Sequence, residues 1–541
     1  MRKTFPPLIL RHRWLILLAL VSLGLRLSML TWGTGIGEHA GIYHPDEHKA
    51  WRSMTNFPGN YLNNHRFEYG TALQYTLAIV CYPFNLGWGK LGPLMGGLDR
   101  IEFNILTFRF VNCLFGVGCI FLIFNLGRKL YDELTAWLAA GLVAFGFYHV
   151  VNSPICSLDV PMSFFVTLLL LMVPWAFGKK THRAFVLLGL ATGYLIGMKI
   201  YAFFIGIIPL VYLLGAILAD RRRWWEEARS WIPFMLTYAG VAIATTFIST
   251  PHIFLNFPEY VAWMTSRPDL WFPGEMHDGW RIRRGWGLAF NEMYTPLLAW
   301  VPVAGVFFSY PGRTHPWFKC WLSMPILVLA ILLFWGGWIP ARYLLFISTI
   351  LALFTARMLA WMIQRRSLAA RSLAWGFAVF ILMWNVRSIA IAMEAKIFDT
   401  RTTASAYLDE HLPEGARITM ANAPDFRDWH EHEWRYPQIQ ADRYQQVSIL
   451  EEPDYIITNG VNLIRMWRAL LNKDKHLDGD YNWQGKGWWL DKQVPTPAEF
   501  RFYQDLLFDQ QRYELVQTWP AELRVKFPFS GPEIRLYRKK S

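Results

Sequence analysis

Charge is scarce in this chain of 541 residues. Only 17% of the residues are charged, whereas 54% are hydrophobic and 17% are aromatic. Soluble domains carry about 25% charged residues, so the composition excludes an ordinary soluble enzyme and favours a membrane protein. The five cysteines lie in or beside apolar runs, which does not indicate a disulfide framework. Zinc-type ligand spacings and glycine-rich phosphate loops are missing as well.

The net charge of +13 does not indicate a nucleic-acid partner. The lysines and arginines cluster beside apolar runs, where such residues orient a chain in a membrane. The first run follows Arg2, Lys3, Arg11 and Arg13 and has no small-residue cleavage site. It therefore predicts a retained span with the amino terminus in the cytoplasm.

Eleven apolar runs are long enough to cross about 30 Å of hydrocarbon as helices. They are residues 14–32, 104–126, 134–152, 162–178, 184–198, 200–218, 231–250, 296–310, 319–336, 343–361 and 372–393. A twelfth run, 69–88, would reverse the side of every later loop if it crossed. If it does not cross, five Lys/Arg-bearing loops all face the cytoplasm, as the positive-inside rule requires. We therefore predict that 69–88 is a partly embedded, interfacial segment of a long external loop, residues 33–103, called the first loop.

Eleven spans place the carboxy-terminal segment outside the cytoplasm. Its mixed charge and short apolar patterns predict a small α/β domain. Its predicted elements are a helix over 402–411, a turn over 412–415 and strands over 417–421 and 455–458. The fold class is thus a polytopic α-helical membrane protein, with a membrane domain over 1–396 and an extracytoplasmic α/β domain over 397–541.

The candidate acids lie near the predicted outer ends of spans, where burying charge is costly and usually functional. Asp46 and Glu47 form an acid pair bracketed by His44 and His48. Such a pair can supply a general base beside a second group that binds substrate or metal, and a helix amino-terminal cap is the alternative. Asp159 is the one acid in the loop over 152–161, called the second loop. It caps the next helix or faces Asp46.

The candidate cations lie on the same predicted face. Lys199 follows the fifth span in apolar sequence, and Arg342 stands at the start of the tenth. The loop over 251–295 carries several arginines, including Arg284, for which a solvated basic surface is the alternative. Arginine and lysine suit phosphate oxygens. Cations beside carboxylates at headgroup depth therefore indicate a lipid-linked phosphate leaving group near a general base.

Several short motifs follow one another in a recognisable order. They are His-Pro-Asp-Glu at 44–47, Glu-Tyr-Gly at 68–70, Leu-Gly-Arg-Lys-Leu-Tyr at 126–131, Ser-Leu-Asp-Val-Pro at 157–161, a glycine-rich run ending in Lys199, and Arg-Tyr at 342–343. Together they resemble the polyprenyl-phosphate-sugar-dependent, multi-spanning glycosyltransferases, which include the protein O-mannosyltransferases and the aminoarabinose transferases of lipid A. The segments 401–404 and 412–416 are similar to the soluble domain of many bacterial and archaeal members.

This resemblance implies a GT-C fold in the inner (plasma) membrane. It also implies sugar transfer from a polyprenyl-phosphate donor to a protein, lipid or glycan acceptor outside the cytoplasm. Asp46 matches the position of the family's general base, and Glu47 is the next residue of that motif. Asp159 and, more loosely, Glu68 match acids that orient the acceptor or hold a divalent cation.

The cations take the complementary role in this resemblance. Lys199 and Arg342, with Arg284, would neutralise the departing polyprenyl phosphate and so improve the leaving group. The histidines at 44 and 48 are also candidate ligands of a divalent metal ion, although their spacing is not a recognised ligand set. No other cofactor is indicated.

Two other classes of function remain open at this stage. A lipid-linked glycan flippase would use the same charges to bind and move a phosphate lipid. A glycan polymerase or ligase would place its key residues in the loop over 251–295. Charge-neutral substitution of Asp46 separates these classes, because it abolishes transfer only where Asp46 is the base.

Overall fold

The structure is a computed structural model that describes two compact units. The described residues are 8–33, 47, 50, 53–54, 57–62, 70–86, 100–219, 224–265, 322–323, 326, 345–420, 443–447, 451–459, 501–502, 504–506, 511–519 and 533–540. The first unit comprises Met1–Leu30 and Lys49–Ile389, and the second comprises Thr31–His48 and Ala390–Ser541.

Helices are the regular secondary structure of the first unit over its described residues. Its helices are α1 (Leu8–Leu27), α2 (Ala72–Leu86), α3 (Arg100–Leu130), α4 (Glu133–Ala144), α5 (Phe147–Asn152), α6 (Asp159–Lys179), α7 (His182–Met198), a 3₁₀ helix (Ile200–Ile207), α8 (Ile208–Ala219), α9 (Trp224–Ser249), α10 (Pro251–Leu255), α11 (Phe257–Thr265) and α12 (Leu345–Ile363). A further helix, α13 (Leu368–Ile397), begins in the first unit and ends in the second.

Five helices in the described part of the chain are long and apolar enough to cross a membrane. They occupy Glu102–Leu130, Asp159–Lys179, Ala228–Ser249, Leu345–Ile363 and Leu368–His411, and three shorter apolar helices accompany them. The protein is therefore a multi-pass membrane protein. Nine of the eleven predicted spans overlap described helices. The other two, 296–310 and 319–336, lie outside the described residues apart from three single positions, so the count of eleven stays a prediction.

Helices α3, α4, α6 and α12 form the packed centre of the first unit. Hydroxyl groups join α6 to α12 across this centre. Ser163 Oγ donates to the Leu345 carbonyl at 2.6 Å, and the Thr167 and Thr349 hydroxyls lie 2.7 Å apart. Lipid chains offer no hydrogen-bond partners, so buried polar groups in a membrane protein bond between helices.

Small residues bring α7 and α9 together beside this centre. A Cβ atom on Gly189 would lie 2.8 Å from the Tyr238 carbonyl oxygen, and one on Gly193 would overlap the Ala242 carbonyl oxygen. The Thr246 hydroxyl donates to the Gly193 carbonyl at 3.2 Å. Small residues spaced four apart allow this close packing, which is common between membrane helices.

The segment predicted as interfacial contains the helix α2. Its described residues run from Ala72 to Leu86. One face of α2 is buried against other residues of the first unit. On the rest of its surface, Ile79, Val80 and Leu86 are 59%, 54% and 71% exposed. A half-buried helix with an apolar outer face suits the predicted interfacial position.

The described part of the second unit holds a helix against a five-stranded sheet. Its elements are α14 (Thr400–His411), β1 (Arg417–Met420), β2 (Gln445–Gln446), β3 (Tyr455–Asn459), β4 (Tyr513–Trp519) and β5 (Ile534–Lys539). The strand order is β2-β1-β3-β5-β4, with β1 parallel to β2 and β3 and the other pairs antiparallel. One core cluster joins helix and sheet: Ala404, Leu408, Leu412, Ala416, Ile418, Tyr444, Ile457, Trp519, Ile534 and Leu536.

The predicted helix over 402–411 is present and begins two residues earlier, at Thr400. Asp399 explains this start, because its side chain accepts a hydrogen bond from the Arg401 backbone N–H at 2.9 Å and so caps the helix. The strands predicted at 417–421 and 455–458 are β1 and β3.

Candidate functional site

Asp159 and Lys199 form a buried ion pair in the first unit. Lys199 Nζ donates to Asp159 Oδ1, and the two side chains are only 2% and 4% exposed for the lysine and the aspartate. The sequence separates these residues by a complete helical hairpin, α6 and α7. The structure thus brings together a predicted acceptor-orienting or metal-holding acid and a predicted phosphate-binding cation.

The ends of two helices favour the two charges of this pair. Asp159 is the first residue of α6, where the partial positive charge of the helix amino terminus stabilises an anion. Lys199 is the carboxy-terminal cap of α7, where the partial negative charge stabilises a cation. These dipoles offset part of the desolvation cost of burying two charges. Asp159 is therefore not the cap of this helix, since Leu158 holds that position, and its carboxylate pairs with Lys199 instead; the alternative that it faces Asp46 lies outside the described residues.

Side chains of α3 hold the second loop, which leads into Asp159. Asn112 Nδ2 donates to the carbonyls of Ile155 at 2.6 Å and Ser157 at 2.8 Å. The Cys156 thiol donates to the Ile105 carbonyl at 3.3 Å. Because these bonds satisfy carbonyls just before the helix, the start of α6 has a fixed place relative to α3.

A fully buried arginine fixes the other end of the second loop. Arg26 of α1 donates from Nε to the Ser153 hydroxyl at 3.0 Å, and its Nη2 lies 3.1 Å from His149 Nδ1. Its Nη1 and Nη2 also reach the carbonyls of Ala144 and Val143 at 3.4 and 3.5 Å. These carbonyls lie at the carboxy-terminal end of α4, which is the negative end of the helix dipole. The guanidinium is therefore stabilised by dipoles.

A second fully buried arginine lies on α3. Arg109 Nη1 donates to the Leu30 carbonyl at 2.7 Å, just after the end of α1. Arg26 and Arg109 therefore both connect α1 with the helices around the second loop. The first loop begins at residue 33, so these contacts also fix the end of α1 from which it departs.

The remaining predicted site residues divide into two groups. Glu47 is described and fully buried in the second unit. The others lie outside the described residues: His44, Asp46, His48, Glu68, Arg284 and Arg342. Their predicted roles therefore stay predictions.

Among the residues that the structure describes, no group of three or more His, Cys, Asp or Glu side chains could hold a metal ion. The histidines predicted as ligands, His44 and His48, lie outside that part. A divalent cation at the acid pair thus stays a prediction.

Sequence reasoning missed Arg26, Arg109 and Asn112. All three lie inside apolar runs, and all three are fully buried. Ionisable and amide side chains within membrane spans are rare and usually functional. Their position inside apolar runs is the signal by which the sequence indicates them.

Comparisons with known proteins show which families and folds this chain is similar to. Residues 94–265 match the family described as dolichyl-phosphate-mannose-protein mannosyltransferase. This stretch contains the second loop, Asp159 and Lys199. No curated protein sequence matches the chain.

Solved structures resemble the whole chain at low sequence identity. The oligosaccharyltransferase AglB of Archaeoglobus fulgidus, solved with an inhibitory peptide and a dolichol-phosphate, is 13% identical with a TM-score of 0.50; the match covers 95% of this chain and 80% of that one. ArnT of Cupriavidus metallidurans, solved with undecaprenyl phosphate, is 13% identical with a TM-score of 0.46, over 84% and 95% of the two chains.

The likeness to AglB shows a shared fold, and the family match is independent of it. The expected resemblance and the expected enzyme class are both confirmed. This chain resembles the multi-spanning membrane glycosyltransferases of the GT-C type: its residues 94–265 match the dolichyl-phosphate-mannose-protein mannosyltransferase family, and its fold is similar to that of AglB.

Proposed function

We propose that the protein transfers a sugar from a polyprenyl-phosphate donor to an acceptor hydroxyl of a protein, lipid or glycan. The acceptor oxygen attacks the anomeric carbon as its proton passes to a carboxylate base. The bond from that carbon to the phosphate oxygen breaks, and its electron pair leaves with the polyprenyl phosphate. The attack comes from the opposite face, so the anomeric carbon is inverted.

The buried Asp159–Lys199 pair is the observation that carries this proposal. The pair places a buried ammonium group, which is a donor suited to phosphate oxygens, beside a carboxylate at the start of α6. In a site of low polarity, such a cation stabilises the charge that develops on the leaving group. The pair lies within the stretch that matches the mannosyltransferase family.

The remaining roles rest on the resemblance of the sequence motifs. Asp46 is proposed as the general base, and Glu47 as the adjacent group that orients the acceptor or holds a divalent cation. Glu68 is proposed as a further orienting acid. Arg342 and Arg284 are proposed to share the donor phosphate with Lys199.

The topology of the sequence gives the cellular setting of this proposal. We infer an amino terminus in the cytoplasm, a membrane domain over residues 1–396 and an extracytoplasmic domain over 397–541. The charge of the loops supports this orientation through the positive-inside rule. A cell inner (plasma) membrane is the proposed location, with the lipid bilayer and a polyprenyl-phosphate sugar as partners.

The test is donor turnover by the purified, full-length protein in lipid. A panel of polyprenyl-phosphate sugars is supplied with a mixture of protein, lipid and glycan acceptors, and released polyprenyl phosphate is measured by mass spectrometry. Asp46→Asn is compared with Glu410→Gln, which neutralises a carboxylate that is 79% exposed. Removal of a general base costs roughly 10²–10⁴-fold in rate, so Asp46→Asn should lose release and Glu410→Gln should keep it.

Three outcomes contradict parts of the proposal. Equal release by wild type and Asp46→Asn removes Asp46 from the mechanism. Donor binding and movement across the bilayer without release indicates a flippase. Loss of release on substitution of arginines within 251–295, with Asp46→Asn still active, indicates the polymerase or ligase alternative.

A further inference from the structure

Backbone atoms of the first loop dock directly onto the end of α7. The Gly70 N–H donates to the Met198 carbonyl at 3.0 Å. The next residue, Thr71, donates from its hydroxyl to the Ser249 carbonyl at 3.1 Å. Ser249 is the last residue of α9. We call this contact between Gly70, Thr71, Gly197, Met198 and Ser249 the glycine clasp.

Only glycine fits at the two central positions of the clasp. A Cβ atom on Gly70 would overlap the Gly197 carbonyl oxygen and lie 2.6 Å from the Gly197 carbonyl carbon. A Cβ atom on Gly197 would overlap the Ser249 hydroxyl and lie 3.2 Å from Ala72 Cβ. A side chain at position 70 would therefore collide with backbone atoms of Gly197, whereas a side chain at position 197 would collide mainly with the Ser249 side chain.

The clasp is adjacent to the ion pair of the candidate site. Met198 accepts the bond from Gly70, and Lys199 follows it directly in the chain. Lys199 leaves the α7 helix in an extended conformation, with φ −144° and ψ 118°, and from there reaches Asp159. The backbone that aims the lysine side chain is thus held on its preceding residue by the first loop.

Other residues of the first loop bind the same region. The Tyr61 hydroxyl donates to the Ile248 carbonyl at 2.6 Å, and Asn256 Nδ2 donates to the Leu62 carbonyl at 3.1 Å. The Tyr75 hydroxyl closes the segment on itself by donating to Asn60 at 2.9 Å. The clasp is therefore one part of an extended docking of this loop onto the ends of α7 and α9.

We propose that Gly70 is a positioning residue for the transfer reaction. It holds the backbone at Gly197 and Met198 so that Lys199 stays paired with Asp159 and aimed at the donor phosphate. This inference rests on the proposed function of Lys199. The clasp has no chemical step of its own, and its effect is to set the position of the cation.

The first test uses two glycine-to-alanine variants of the full-length protein in lipid. A displacement of about 1 Å at a catalytic group can cost on the order of 10²-fold in rate. Gly70→Ala should therefore lower kcat for donor release by roughly 10- to 100-fold, with a smaller change in the donor KM. Gly240→Ala is the matched control, because a Cβ atom there meets nothing within 4 Å. It should keep the wild-type kcat.

A size exchange keeps the proposal testable if Gly70→Ala does not fold. Gly197→Ala should also lower kcat, because its methyl group displaces Ser249. Adding Ser249→Gly removes the hydroxyl that blocks this methyl group and keeps the Ser249 carbonyl that binds Thr71. The double variant should therefore regain most of the kcat lost by Gly197→Ala. Failure of this rescue overturns the steric basis of the clasp.

A second readout separates the clasp from the proposed function. Amine acylation followed by mass spectrometry should find Lys199 protected in wild type, where it is 2% exposed, and reactive in Gly70→Ala, with the exposed Lys180 as reference. Unchanged labelling and unchanged kcat in Gly70→Ala overturn the inference. Wild type that releases no polyprenyl phosphate contradicts the proposed function, and the labelling contrast still decides the clasp.

Discussion

The Asp159–Lys199 pair makes each partner depend on the other. Removing one partner of a buried pair leaves a charge without compensation, which costs about 3–5 kcal/mol. Lys199→Met should therefore lower the midpoint of thermal unfolding strongly, and Asp159→Asn together with Lys199→Met should recover most of that loss. Donor release should stay abolished in the double variant, because the cation is still missing. Unfolding in detergent and mass-spectrometric release assays measure the two effects.

An exposed ion pair is the control for this prediction. Arg538 and Glu514 lie 2.5 Å apart between β4 and β5, with side chains 55% and 42% exposed. Exposed pairs contribute about 0–1 kcal/mol, so Arg538→Met should leave the unfolding midpoint nearly unchanged. A double variant at Asp159 and Lys199 that is no more stable than Lys199→Met alone would contradict the assigned energetics.

Arg26 is expected to stabilise the second loop by hydrogen bonds that no lysine can reproduce. Arg26→Met should lower the free energy of unfolding by about 2–4 kcal/mol, because the Ser153 hydroxyl and the terminal carbonyls of α4 lose their donors. Arg26→Lys should recover only part of this, since a single ammonium group lacks the planar fork of the guanidinium. The measurement is the unfolding midpoint in detergent.

Another arginine of the same helix provides the control. Arg13 is exposed on α1, so Arg13→Met should change the midpoint little. Donor turnover by Arg26→Met should fall together with stability, because the second loop leads to Asp159. Full turnover and an unchanged midpoint in Arg26→Met would show that the loop is held without it.

The candidate site was only partly accessible from the sequence. Asp159 and Lys199 were recognisable as solitary charges near the ends of apolar runs. Their pairing was not recognisable, because it depends on how far α6 and α7 are offset along each other, which hydrophobic periodicity does not fix. Arg26 and Asn112 carried a signal in being polar residues within spans. Their partners are mostly backbone carbonyls, which no residue pattern identifies.

At the scale of elements, helices were predictable where the apolar pattern is long. The predicted runs locate α3, α6, α12 and α13 closely, because spanning a membrane requires about 20 consecutive apolar residues. The strands β4 and β5 were not predicted. Strand β5 pairs with β3, which lies more than 70 residues earlier in the chain, and β4 joins the sheet only through β5, so local pattern carried little information.

The start of α14 depends on one acid with several partners in the second unit. Asp399 caps the helix and accepts two further bonds from the Arg401 guanidinium, at 2.8 and 2.6 Å. Trp32 Nε1 donates to the same carboxylate at 3.1 Å, and Lys396 Nζ lies 4.6 Å from the Trp32 ring centroid. This group joins the segment after α1 to the end of α13 by charge-assisted bonds.

The contributions of these bonds should differ in a measurable order. Asp399→Asn leaves the buried Arg401 without its carboxylate and should cost about 3–5 kcal/mol. Trp32→Phe removes one hydrogen bond and keeps an aromatic ring, so it should cost about 1 kcal/mol. Hydrogen exchange of a peptide covering α14 should rise strongly in the first variant and slightly in the second. An equal rise in both would mean that Trp32 contributes more than its hydrogen bond.

At the scale of the whole molecule, the most consequential expectation is the side of the membrane on which each loop lies. It depends on whether the segment that contains α2 crosses the membrane. The exposed apolar face of the half-buried α2 and the charge of five later loops both favour an interfacial position. If α2 crossed, the Asp159–Lys199 pair would face the cytoplasm, and a donor consumed outside the cytoplasm could not reach it.

Cysteine labelling of intact cells tests this topology. The native Cys81, Cys113, Cys119 and Cys156 are buried, so they should not react with a membrane-impermeant maleimide once Cys320 is replaced by serine. In that background, new cysteines are introduced one at a time at two exposed positions, by Lys180→Cys and Glu410→Cys.

The two introduced cysteines should react with the maleimide under different conditions. Glu410→Cys should react in intact cells, because residues 397–541 are expected outside the cytoplasm. Lys180→Cys should react only after permeabilisation, because its loop follows the positive-inside rule. The reverse pattern would mean that the segment containing α2 crosses the membrane and that the proposed reaction face is wrong. Both variants carry the same Cys320→Ser background, so the comparison isolates the side of the membrane on which each new cysteine lies.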